Sequence, residues 1–151
     1  RVGFFTIWDM DNCLSDDGWR QCFIDWTKEG DERYAKYNSW CLLDLPVHQE
    51  YFRGFCLSAT PIVFTSRNEN LRVATEQWWK KHYGYVPLLF MRPVGHNGSP
   101  EQVKREMLDN FLAKYSVAIG QVVAAFDDHM PVVEMYRAAG IEATHLYIHK
   151  P

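Results

Sequence analysis

The sequence predicts an α/β protein: a central parallel sheet, helices on both faces, and a small helical cap inserted after the first strand. Three observations carry this. Five short apolar runs, Gly3–Trp8, Pro61–Thr65, Pro87–Met91, Val122–Phe126 and Thr144–Ile148, read as strands. They lack clean polar alternation, the pattern expected of strands covered on both faces. Helical spacings fill the intervals between them, as the crossovers of a parallel sheet require.

Taken in order, the first strand is followed by Trp19, Cys22, Phe23 and Trp26 at i, i+3, i+4, i+7, which predicts a helix. Val47, Tyr51 and Phe55 predict another. This stretch, residues 15–59, is longer than a simple crossover needs and is expected to hold two or three helices. Ligands bind at the carboxyl edge of open α/β sheets, so the insert is placed either to cap that edge or to pack as a long crossover. Leu71, Ala74 and Trp78 mark the next helix, closed near Gly84. Asn97-Gly98 reads as a turn. Ser99-Pro100-Glu101-Gln102 then starts a helix with a capping box and Pro in its first turn. The last helix, Pro131 to Ala139, ends at Gly140, a residue suited to a left-handed cap. With no repeats, low-complexity tracts or linkers, residues 1–151 are expected to form one domain. The chain opens on Arg1 rather than Met, as a trimmed chain or part of a longer protein would.

Composition narrows the function classes. Aromatics make up 15% of the chain, including six Trp, and the formal net charge is −3. That balance offers none of the basic excess of a tight, non-specific nucleic-acid binder. Cys13, Cys22, Cys41 and Cys56 form no zinc-ligand spacing and are expected to be buried, reduced thiols of a cytoplasmic protein. No apolar stretch is long enough to span a bilayer, and no signal peptide is visible.

The chemistry lies where the apolar runs end. Asp9-Met10-Asp11 closes the first strand, and residues two apart on a strand share a face, so both carboxylates are expected to face one small volume. Like charges that close call for a cation or a proton between them. Thr65-Ser66-Arg67 closes the second strand, Lys104 sits on a helix, and Asp127-Asp128 closes a later strand. These are the groups a phosphoryl-transfer site needs. A carboxylate attacks phosphorus, a second one shuttles the proton, a hydroxyl and an ammonium hold the phosphoryl oxygens, and further acids hold Mg²⁺.

The order and spacing of these four parts resemble the haloacid dehalogenase superfamily of phosphohydrolases, with its Rossmann-like fold, and extend over essentially the whole chain. The resemblance implies Asp9 as nucleophile, Asp11 as general acid/base, Thr65 as phosphate ligand and Lys104 as charge neutraliser. It also implies Mg²⁺ held by Asp9, the Asp11 carbonyl and one or both of Asp127 and Asp128. Thr65-Ser66-Arg67, Val103-Lys104-Arg105-Glu106, and Phe126-Asp127-Asp128 followed by Val132 to Arg137 and Gly140-Ile141 are similar to the phosphatase domain of phage polynucleotide kinase–phosphatases and related stand-alone phage phosphatases. That similarity implies Arg20, Ser66 and Arg67 as substrate-binding residues. The chain departs from the pattern at three places. Asn12-Cys13 stands where Gly-Thr is usual, Pro100-Glu101 where acids often precede the Lys, and His129 where Arg is frequent. Asn at position 12 tolerates unusual backbone angles better than most residues, so a turn is still expected there.

The expected substrate is a phosphomonoester. Trp19, Phe23, Trp26, Tyr34, Tyr37 and Trp40 are candidates to stack on a nucleobase or to pack the insert. A 5′-nucleotidase on (deoxy)nucleoside monophosphates and a polynucleotide 3′-phosphatase are the two nucleotide readings, the former slightly favoured by the absent basic face. A sugar-phosphate phosphatase and an inactive phosphatase-like binding module are the others. The expected partner is a nucleotide or a nucleic-acid 3′-end. No membrane and no obligate protein partner are implied, and the expected location is the cytoplasm, the host's if the chain is phage-encoded.

Overall fold

The structure is a computed structural model and describes residues 3–151; Arg1, the unusual first residue, lies outside the described residues. In chain order the elements are β1 (Phe5–Trp8), β2 (Ser15–Asp16), α1 (Gly30–Ser39), β3 (Leu45–Pro46), α2 (Gln49–Cys56), β4 (Thr60–Asn68), α3 (Arg72–Tyr83), β5 (Leu88–Arg92), α4 (Pro100–Lys114), β6 (Val122–Asp127), α5 (Met130–Ala138) and β7 (Ala143–His145). The sheet runs β5-β4-β1-β6-β7 and every pair in it is parallel. From β1 the chain moves outward through β4 and β5, then returns to β6 on the other side. The reversal leaves a crevice at the carboxyl ends of β1 and β6, which is where α/β sheets place their ligands.

Both faces of the sheet are covered, and the pleat decides which residue goes where. Ile7, Ile62 and Phe64 pack with Val103, Leu108 and Phe111 of α4 and Val132, Val133 and Tyr136 of α5. Their neighbours Trp8 and Val63 point the opposite way, to Phe52 of α2 and Trp78 and Trp79 of α3. Trp8 stacks on Phe126 with ring centroids 3.9 Å apart, so the two strands that flank the crevice are pinned together directly beneath it. Helix ends follow local chemistry. Ser99 and Gln102 make the reciprocal capping box at the start of α4, and α3 ends at Gly84 with φ +79°. Gly140, just past α5, has φ +93°.

Four expectations are corrected. Trp19, Cys22, Phe23 and Trp26 do not form an α-helix; the chain makes a 3-10 turn over Gly18–Phe23. Its buried residue is Arg20, while Trp19 and Trp26 face outward, so the helix-like spacing marks no apolar face. Cys22 is exposed on that turn rather than buried. The tight turn expected at Asn97-Gly98 falls earlier, with the His96 N–H donating to the Pro93 carbonyl and Gly95 at φ +80°. Finally, α2 lies on the sheet through Phe52, whereas residues between Asp16 and Asn38 line the crevice, and β2 and β3 pair antiparallel. No helix among the described residues is long and apolar enough to cross a membrane.

Candidate active site

Asp9 is the first residue past β1, and its N–H donates to the Phe126 carbonyl at 3.0 Å, which fixes it between the ends of β1 and β6. The chain then turns back. The N–H groups of Cys13, Leu14 and Ser15 all reach the Met10 carbonyl, and Asn12 takes φ +58°. Asn suits that left-handed position better than most residues with a Cβ, so the turn forms without the usual glycine. Asn12 also donates to Asp128 Oδ2 at 3.1 Å and to the His149 carbonyl at 2.8 Å.

β6 ends in Asp127, with Asp128 next. Carboxylate oxygens of Asp9, Asp127 and Asp128 lie within 4.8 Å of one another. Lys104, in the second turn of α4, is almost completely buried beneath them. Its Nζ donates to Asp9 Oδ1 at 2.8 Å and to Asp127 Oδ2 at 2.5 Å. Burial works against the ammonium, but Asp127 and Asp9 more than offset it and hold the charge firmly. One cation against three acids leaves a negative surplus. Burial and then Asp9 accordingly push the carboxyls of Asp127 and Asp128 up from the usual range. Hard oxygen donors with surplus negative charge fit a divalent cation such as Mg²⁺.

The Asp11 carboxylate belongs to a different set of partners. β1 has already ended, so the pleat no longer aligns it with Asp9, although both line the same cleft. Arg20 Nη2 donates to Asp11 Oδ1 at 2.7 Å, and Arg67 does so through Nη2 at 2.8 Å and Nε at 3.2 Å. Burial would raise the Asp11 carboxyl, but Arg67 and then Arg20 outweigh it and hold it at about 2. Behind them stands Asp44, which the sequence reading missed. It accepts from Arg20 Nε at 2.8 Å and Nη2 at 2.7 Å, Ser15 Oγ at 2.5 Å, Trp19 Nε1 at 3.0 Å and Arg67 Nη2 at 3.4 Å. A lone acid inside Leu42-Leu43-Asp44-Leu45-Pro46 was the available signal: a carboxylate among apolar neighbours needs a cation.

The remaining predicted residues spread around this centre. Thr65 is buried within β4, one residue before the cleft-lining Ser66, and its hydroxyl accepts from the Arg67 N–H at 3.1 Å. Ser66 and Arg67 lie in the register shift between Thr65 and Asn68 and line the cleft. Arg20 is fully buried, enclosed by Asp11, Asp44, the Tyr37 carbonyl and the Tyr37 ring 4.1 Å away, and so is turned from the cleft. Of the aromatic candidates, Trp19, Trp26, Tyr34 and Tyr37 line the cleft, whereas Phe23 and Trp40 do not. The cleft encloses about 1450 Å³, far more than a phosphate needs.

Two buried carboxylates, Asp9 and Asp127, thus hold one buried lysine at the end of a central parallel strand. Residues 5–147 match the family described as the phosphatase domain of polynucleotide kinase PNKP. The chain belongs to this family. It is a haloacid dehalogenase-type phosphatase. The fold is similar to a chain of the Pnkp1/Rnl/Hen1 RNA repair complex, at 20% identity and TM-score 0.71, over 96% of this phosphatase and 42% of that chain. It is similar over nearly the full length of both chains to a hydrolase from Streptococcus pneumoniae TIGR4, at 14% identity, TM-score 0.61, and coverage of 97% and 94%. The phosphatase thus spans less than half of the repair-complex chain it resembles. No curated protein matches it significantly.

Proposed function

We propose that the phosphatase is a magnesium-dependent phosphomonoesterase that works through an aspartyl-phosphate on Asp9 and acts on (deoxy)nucleoside 5′-monophosphates. The observation that carries the reaction class is the buried Lys104 ammonium bridging Asp9 and Asp127, with Asp128 close by. In the first step an Asp9 oxygen bonds to phosphorus and the bond to the leaving oxygen breaks, while a proton on Asp11 goes to the departing alkoxide. In the second, Asp11 takes a proton from water, the resulting hydroxide attacks phosphorus, and Asp9 is released with inorganic phosphate. Lys104, Thr65 and Ser66 bind phosphoryl oxygens as charge develops on them. Asp9, Asp127, Asp128 and the Asp11 carbonyl would hold Mg²⁺, which when bound neutralises phosphoryl charge. Asp11 must gain a proton for the first step, although Arg67 and Arg20 hold it ionised. A phosphate dianion competing for the Arg67 guanidinium, which lines the cleft, loosens its grip on Asp11.

The segment from Ser15 to Pro46 serves as the cap. The composition of the cleft supports a small substrate. Beyond the reacting groups its lining includes Asp16, Asp17, Glu29 and Asp31 against Arg33, Arg92 and Lys150, a poor bed for a second and third phosphate. A polynucleotide 3′-phosphatase is the second reading, favoured by the description of the matched family and by the similarity to a repair-complex chain. Four thiols with no disulfide suit a reducing cytoplasm, the host's if the gene is a phage's. Phosphate release with Mg²⁺ from nucleoside 5′-monophosphates, a 3′-phosphorylated oligonucleotide and sugar phosphates tests the reading. Preference for 5′-monophosphates is the expected result. Preference for the oligonucleotide establishes the second reading, and equal turnover of sugar phosphates overturns both.

A further inference from the structure

Trp26 is 68% exposed, so hydrophobic burial does little to explain its position. Hydrogen bonds hold its loop instead. The Asp25 carboxylate accepts from the Thr27 N–H at 3.0 Å and from its hydroxyl at 2.5 Å, and the Asp25 N–H donates to the Arg33 carbonyl at 2.9 Å. Arg33 in turn donates from Nε to the Lys28 carbonyl at 2.7 Å, which locks its guanidinium 5.1 Å from the Trp26 ring centroid. Tyr34 meets the same indole edge-on at 6.5 Å. The indole therefore has a cation against it, a tyrosine at its edge and most of its surface free, on a loop tied down before any ligand arrives.

Single exposed aromatics are ordinary. This one lines the cleft that contains Asp9 and Lys104, and its neighbours Trp19 and Tyr34 line that cleft too, at 45% and 36% exposed. The cleft has room well beyond one phosphate. A flat, electron-rich ring polarised by a guanidinium, with a free surface in a phosphatase cleft, suits a flat heteroaromatic group attached to the phosphate.

We infer that Trp26, backed by Arg33 and edged by Tyr34, is the shelf on which the substrate's nucleobase stacks. The inference rests on the nucleotide reading above and names where that reading places the base. Stacking is shared by a free nucleotide and a strand terminus, so the shelf serves either. It contributes affinity for the base and none of the chemistry at phosphorus.

The test is steady-state kinetics with Mg²⁺ on the wild type, Trp26→Ala and Trp26→Phe. The substrates are a nucleoside 5′-monophosphate, ribose 5-phosphate as its base-free counterpart, and 3′-phosphorylated oligonucleotides ending in a normal or an abasic nucleotide. The wild-type ratio of nucleotide to base-free substrate judges the substrate reading; the change of that ratio in the variants judges the shelf. Trp26→Ala should raise KM for the substrate with a base about tenfold or more, in line with the loss of one base–aromatic stack. It should leave kcat and base-free turnover unchanged, and Trp26→Phe should restore most of the loss. Whichever substrate pair shows the effect, mononucleotide or oligonucleotide, identifies the source of the base. A wild type that favours the base, with that preference intact in Trp26→Ala, overturns the shelf and leaves the nucleotide reading standing. A wild type indifferent to the base overturns both.

Discussion

Lys104 is one cation among three carboxylates, whereas Arg20 and Arg67 are two cations between two, Asp11 and Asp44. Both clusters reach one cleft, the arginine set through Asp11 and Arg67 alone, yet they differ in what they lack. The arginine set is complete in the folded chain. Every charge in it has a partner within 3.4 Å, and the fold rather than a ligand satisfies it. The lysine set holds more acids than cations, and burial together with Asp9 raises the carboxyls of Asp127 and Asp128. A balanced buried cluster anchors structure, and an unbalanced one is poised for a ligand. Removing a charge from each should therefore have opposite consequences.

The largest effect falls in the unbalanced cluster and on activity. Asp9→Asn replaces the proposed nucleophilic carboxylate with an amide and should lower kcat by about 10⁴-fold or more, as expected when a nucleophile is deleted from a cooperating set. Its far-ultraviolet circular dichroism should match the wild type, because the Asp9 N–H still holds the Phe126 carbonyl. A variant that turns over at a tenth of the wild-type rate would remove Asp9 from the mechanism.

Stability gives the converse. Asp44→Asn leaves two buried guanidiniums facing Asp11 alone, and breaking a buried pair from one side costs about 3–5 kcal/mol. Asp128→Asn removes one of three crowded acids and should leave the metal-free protein within about 1 kcal/mol of the wild type, or above it, by urea denaturation. If the two variants lose equal stability, the contrast between the clusters fails.

The same contrast explains what could be read from sequence. Asp9, Asp127 and Asp128 follow apolar strands, and Lys104 follows a capping box, so local pattern locates all four, and the sheet order brings them together. The arginine cluster is closed by irregular chain. Arg20 sits on a 3-10 turn whose aromatic spacing imitates a helix, and Asp44 lies 24 residues on, between two short elements. Nothing periodic announces either residue. Their pairing arises only when β2 and β3 join and Ser15 is carried onto Asp44. The strands, the capping box and the glycine stops were readable for the same reason that the segment from Ser15 to Pro46 was not: each depends on a few neighbouring residues, while that segment depends on contacts across the insert.

Proton linkage gives the smallest effect and the most direct test of the imbalance. Asp127 and Asp128 carry raised carboxyls, so the folded state binds more protons than the unfolded chain above pH of about 4. By linkage, stability in chelator should fall as pH rises from there into the neutral range. Asp11 works the other way. Its carboxyl is held at about 2, so the stability it contributes is present above pH of about 4 and is lost as pH falls toward 2. The two clusters together place the metal-free optimum in mildly acidic solution. Mg²⁺ at about a hundred times its dissociation constant should add about 2.7 kcal/mol at neutral pH. It should add less as the pH falls toward 5, where protons occupy the same oxygens. Thermal melts across pH with Mg²⁺ and with chelator measure both trends. A magnesium shift that does not shrink on acidification would mean that the ion binds away from Asp127 and Asp128. The surplus charge of the lysine cluster would then need another partner.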